Sequence, residues 1–197
     1  MIRNHILTML TELGITAAIA AAMVAVLALL LALAGRPPVR RDQPALWVLL
    51  FFLVLTQYPV PETFTCPRPN TDPAFWPGNT IPHVIGQIET WGWGVAFFQD
   101  RTVPTAIMNF VICAVLGLAL AWQGRFSNRA ILVFGAALTL GVEFTQLTAT
   151  WGLFPCPYRK FDADDLVLNF AGVAAGLWLG RRWGWRRVGP DDGARRG

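Results

Sequence analysis

A chain of 197 residues with 54% apolar residues, 14% charged residues and nine tryptophans, at a mean hydropathy of +0.46, is too apolar for an ordinary soluble domain and reads as a polytopic membrane protein. That length holds about four to six helices, each needing about 20 apolar residues to cross a hydrocarbon core of roughly 30 Å, which excludes a separate soluble catalytic domain. The net charge of +4 follows from arginines flanking helices near anionic lipid and calls for no nucleic acid.

In chain order, long apolar runs at 14–35, 45–58, 104–122, 130–147 and 166–180 predict five membrane helices. The small-residue triplet Ala32-Leu33-Ala34 resembles a signal cleavage site. The run before it is long for a signal core, and cleavage would leave the following arginines outside. The second run is short, about 21 Å of helix, so a re-entrant or tilted element is an alternative to a full span. Residues 59–80, dense in proline, predict an irregular strap. Beyond Pro82, Ile85, Ile88, Trp91 and Val95 recur at helical spacing, as in a helix lying in the membrane interface or a lid across the helix ends. The last run is short unless Asp162 to Asp165 form its first turn, where carboxylates gain from exposed amides and the helix dipole.

The expected fold class is all-α: a polytopic helical membrane bundle of about five transmembrane helices with a long outer loop. It divides into an N-terminal helical hairpin (1–58), an extracytoplasmic loop with an interfacial helix (59–103), a three-helix core (104–181) and a basic tail (182–197).

Charge asymmetry orients this bundle. Arg36, Arg40, Arg41, Arg125, Arg129, Arg181, Arg182, Arg186, Arg187, Arg195 and Arg196 fall on one side of a five-helix arrangement. Only Arg68, Arg101, Arg159 and Lys160 occupy the opposite loops, beside Glu62, Asp72, Glu89 and Asp100. The positive-inside tendency then places the tail in the cytoplasm and the N-terminus outside. Cys66 and Cys156, each followed by proline, fall in the outer loops, where oxidation is possible. They are the natural disulfide pair, closing a loop worth about 4 kcal/mol of chain entropy, with two unpaired thiols as the alternative. Cys113 reads as packing, and two histidines without paired ligand spacing give a zinc site little support. The sequence requires no cofactor.

The last run carries the densest chemistry. Taken as one helix, Asp162, Asp165, Asn169, Gly172 and Gly176 lie within an arc of roughly 80°. The preceding run adds Glu143 and Gln146 on one face near the same boundary. A carboxylate in a membrane helix is costly unless paired or wetted, so Glu143 is a functional candidate, with Arg159 as its natural partner or that of Asp162. Gln146 and Asn169 suit the remaining lone pairs, and Gly172, Gly176 and Gly180 form a ridge that favours close helix approach.

These residues resemble the signature of VanZ-like bacterial integral membrane proteins. Glu143 and Gln146 match E-x-x-Q, Arg159 the following arginine, and Asp162, Asp165, Asn169, Gly172 and Gly176 match D-x-x-D-x-x-x-N-x-x-G-x-x-x-G. Asn79-Thr80-Ile81-Pro82 is similar to the family's N-L-I-P element, and Asn109 to the asparagine opening its next helix. The likeness covers roughly half the chain. The proline usual before the glycine after Asn109 is missing, and Tyr158 stands where glycine usually precedes the arginine. The resemblance implies a multi-pass protein of the bacterial cytoplasmic membrane, acting near the envelope surface. The family's founding member is associated with low-level resistance to the glycopeptide teicoplanin, and the family has no settled biochemical activity.

Three functions fit. The first is an outward-facing polar cluster that binds a lipid head group, lipid-linked precursor or lipoglycopeptide. The second is a carboxylate- or metal-dependent enzyme acting on an envelope lipid. The third is a modulator of another membrane protein, with the glycine ridge as contact surface.

Overall fold

The computed structural model describes residues 2–35, 43–57, 65–67, 71–94, 100 and 102–183. The arginines of 36–41, Arg68, Arg101, Tyr58 and the tail beyond 183 lie outside the described residues. The apolar runs become α1 (Ile2–Leu33), α2 (Gln43–Gln57), α4 (Thr102–Gln123), α5 (Asn128–Leu147) and α6 (Ala163–Arg182). Between α2 and α4 the chain forms α3 (Thr80–Trp91), and a four-residue turn, Ala149–Gly152, follows α5. Among the described residues the one β pairing is an isolated bridge between Ala74 and Asp162.

Residues Leu10–Leu33 of α1, α4 and α5 are each long and apolar enough to cross a bilayer, and α2 is a shorter apolar helix. The chain is a helical membrane bundle. α1 begins well before the apolar run at 14, because hydropathy marks only the part suited to lipid while the preceding leucines, methionine and glutamate still favour helix. α6 begins at Ala163, before the apolar run at 166. Asp162 stands just outside it as an extended N-cap whose side chain accepts from the Asp164 amide. Ser127 caps α5 in the same way, accepting from the Ala130 amide at 2.9 Å.

α4 and α6 run parallel and make the closest contact in the bundle. A Cβ at Gly176 would overlap the Ala114 carbonyl, and one at Gly172 would strike the Phe110 carbonyl and Cys113. Gly117 of α4 returns the same relation to the Val173 backbone. Gly180 is buried on the same helix. The glycine ridge is therefore consumed inside the chain, where backbones approach to near contact. Phe52, Cys113, Ala121, Ile131, Val142, Val173 and Leu177 form the core around this seam. Ala45 and Val48 pack α2 against Leu116 of α4, so the short second run is an integral bundle helix.

Candidate functional site

α4 and α6 begin, and α2 and α5 end, at one end of the bundle, which we call the acidic end. Its geometry starts from the orphan groups of helix termini, which a dry setting forces into partnership. The last carbonyls of α2 are taken one by one. Arg159 Nη2 donates to Leu55 at 3.3 Å, Gln146 Nε2 to Thr56 at 3.2 Å, and Tyr158 Oη to Gln57 at 3.0 Å. Tyr158, the departure from the family pattern, is thus a helix cap. The Cys66–Cys156 disulfide, with Cα atoms 5.9 Å apart, ties the strap to this same loop.

Glu143 is 1% exposed, and its Oε2 accepts the Asp162 amide at 2.8 Å. That bond holds the cap residue of α6 in place. The Asp162 carboxylate then spans the Asp164 amide at 3.0 Å and the Lys160 ammonium at 3.2 Å. Asp165, one turn-face away, is hydrogen-bonded by the Asn109 side chain of α4 and feels the positive charge of Arg159. Asn109 therefore joins the site despite the missing proline beyond it. Deeper in the bundle, Asn169 is buried and its Oδ1 faces the Cys113 thiol at 3.6 Å.

Asp164 was not singled out by the sequence, yet it makes the strongest set of bonds. Its Oδ1 accepts the Gly78 amide at 2.6 Å, and its Oδ2 accepts those of Asn79 and Thr80 at 2.9 and 2.8 Å. Three consecutive amides at the start of α3 are thereby bound to one ionised acceptor. Asn79, a good cap by residue type, makes no side-chain cap bond of its own. Pro82 falls in the first turn of α3, where a missing N–H costs nothing. The signal available in the sequence was this: a helix start at 79–82 with no carboxylate, facing a spare aspartate between two matched ones.

An open pocket of about 210 Å³ lies between these elements, lined by Thr80, Thr102, Thr105, Ala106, Asp162 and Asp165. At its rim His83 pairs with Asp100, whose Oδ1 also accepts the Thr102 amide at 2.8 Å. Burial acts to raise the Asp100 pKa, but the Thr102 amide and His83 outweigh it and hold the carboxyl below its ordinary value. Among the described residues no group of three or more His, Cys, Asp or Glu side chains is arranged to hold a metal ion.

A family model described as VanZ/LLP1 matches residues 45–184. The chain belongs to the VanZ/LLP1 family. No curated protein and no solved structure matches it. Within the VanZ/LLP1 region the signature positions divide by task. Gln146 and Arg159 cap α2, Glu143 seats the start of α6, the glycines admit α4, and Asp162 and Asp165 line the pocket. The N-x-I-P-like element at 79–82 meets the last helix through Asp164.

Proposed function

We propose that this VanZ/LLP1 chain lies in the bacterial cytoplasmic membrane with its acidic end toward the envelope, where it binds the amine-bearing head group of an amphiphile. The arginines at the opposite helix ends support that orientation. The observation that carries the binding reading is the pocket itself, which two acids, Asp162 and Asp165, line together with Thr80, Thr102 and Thr105. Ionised carboxylates only accept hydrogen bonds, and hydroxyls accept as well as donate, so an ammonium with three donors is their natural complement. Lys160, bonded to Asp162 beside the pocket, keeps further donors for a phosphate or carboxylate on the same ligand. An envelope aminolipid, a lipid-linked precursor and a lipoglycopeptide all carry this chemistry. Protection against teicoplanin-type compounds follows if the last is bound.

The test expresses wild type, Asp165→Asn and Glu143→Gln in a teicoplanin-sensitive bacterium, measuring membrane abundance and lipoglycopeptide susceptibility together. Protection by the wild type, lost in Asp165→Asn at unchanged abundance, is the expected result. Protection that disappears only together with the protein would assign these residues to helix clamping instead. A wild type that neither protects nor retains phosphatidylethanolamine over phosphatidylglycerol in native mass spectrometry would end the binding reading.

A further inference from the structure

α3 has an apolar face that the pocket does not use. At about 100° per residue, Ile81, Val84, Ile85, Ile88 and Trp91 fall within an arc of roughly 120°, while Pro82, His83, Gly86 and Thr90 lie opposite. Ile81, Ile85 and Trp91 are 52%, 49% and 51% exposed, a half-open apolar stripe on an otherwise well-anchored helix. Phe75 and Trp76, just before its start, are exposed too.

The anchors fix the depth of this stripe. Asp164 holds the amides of 78–80, Thr80 shares the pocket with the first turn of α4, and His83 pairs with Asp100 immediately before that span. α3 therefore starts where the apolar span α4 starts. At the matching end of α5, residues Ala149, Thr150 and Trp151 take left-handed φ values of 51°, 56° and 62°. Such values cost non-glycine residues of order 1 kcal/mol each. This turn folds the Trp151 ring edge-on against Phe144, 5.0 Å between centroids, and its indole N–H reaches Thr145 Oγ1 at 3.1 Å. Phe144 is an exposed side chain in the last turn of an apolar span. A tryptophan with its ring on the lipid-facing side of a span end and its N–H satisfied by a polar group marks the interfacial layer. The start of α3 is anchored at this same end of the bundle, beside the first turn of α4.

We propose that α3 lies in the bilayer interface, with Ile81, Ile85 and Trp91 seated between head groups and acyl chains, and that the lipid bilayer is the partner of this face. The helix is both lid and anchor: its first amides rest on Asp164, and its flank rests on lipid. The bilayer thereby supports one wall of the pocket through Thr80. This holds whether or not the pocket binds an amine.

The test uses the full chain in nanodiscs of phosphatidylcholine and phosphatidylglycerol, with nitroxide labels at Ile85→Cys, Thr90→Cys and, as a lipid-facing reference within α5, Val133→Cys. Cys113 is buried and Cys66 and Cys156 are bonded to each other, so native labelling of the unsubstituted chain supplies the background. Collision with oxygen reports apolar surroundings, and collision with a water-soluble nickel chelate reports water. The Ile85 label is expected to meet the chelate at least about threefold less than the Thr90 label, and to approach Val133 in its oxygen accessibility. Equal chelate access at 85 and 90 would put the stripe in water and overturn the proposal. Low access of both reagents at 85 would bury it under protein and overturn it equally.

Discussion

The two ends of α6 are fixed by opposite chemistry. At the start, Asp164 collects three backbone amides from α3, and Asp162 caps the helix while Glu143 holds the Asp162 amide. At the finish, Arg181 gives Nη1 to the Ala121 carbonyl at 3.3 Å, Nη2 to the Phe126 carbonyl at 2.9 Å and Nε to Asn128 Oδ1 at 2.9 Å. Acid at the amino end and base at the carboxyl end both complement the helix dipole. The difference lies in what remains. Arg181 directs its fork into the α4–α5 corner, joining the two helices that flank α6. At the acidic end Asp162 and Asp165 still face an open pocket, and a disulfide braces the loop beside them. One end closes the bundle, and the other holds charge beside a cavity.

A change at the seam between the ends should erase the comparison altogether. Gly176→Val drives a side chain into the Ala114 carbonyl and the Leu118 amide, which are backbone and cannot step aside. The expected cost exceeds about 4 kcal/mol, with both ends losing amide protection together in hydrogen exchange. Asp164→Ala should act on one end only. It strands three amides at the start of α3, for an expected loss of about 3 kcal/mol. Exchange should rise at 78–80 while the Arg181 corner stays protected, and equal loosening of both ends would refute the separation. Arg181→Met is the mirror experiment and should be milder, about 1 to 2 kcal/mol, because the Ala121 carbonyl keeps the Gly124 amide as a partner and Asn128 is exposed to water. Arg181→Lys should not restore stability, since a point ammonium cannot serve two carbonyls and an amide in one plane.

How much of this was readable in the sequence follows the same division. Apolar runs locate the bundle helices because hydropathy measures what lipid measures, and the Cys66–Cys156 pair was legible from loop position alone. The face holding Asp165, Asn169, Gly172 and Gly176 was legible because residues that meet one neighbour share one arc. Asp164 was not, since it projects from a different side of the same helix toward a partner more than eighty residues upstream. Arg181 was legible only as charge: the positive-inside pattern uses its sign and says nothing of the carbonyls its fork would find. Gln146 and Arg159 donate to the last carbonyls of α2, a role the acids nearby did not suggest, while Arg159 also lends its charge to Asp165. The short second run gave no hint that its last carbonyls would need three side-chain donors.

The smallest effect tests the rim of the acidic end. Asp100 has its carboxyl held below the ordinary range, burial being outweighed by the Thr102 amide and His83. A depressed folded-state pKa contributes stability that is present above the unfolded value, about 3.9, and is lost as pH falls through the folded value below it. The pair is partly exposed, so screening limits that contribution to well under 1 kcal/mol. A carbon NMR titration of the Asp100 carboxyl should give a midpoint below about 3.9. The stability advantage of wild type over Asp100→Asn should shrink between pH 5 and pH 2 while that over Arg181→Met stays level. A midpoint above the ordinary value would mean burial dominates at the rim, and the start of α4 would then be anchored by packing instead of charge.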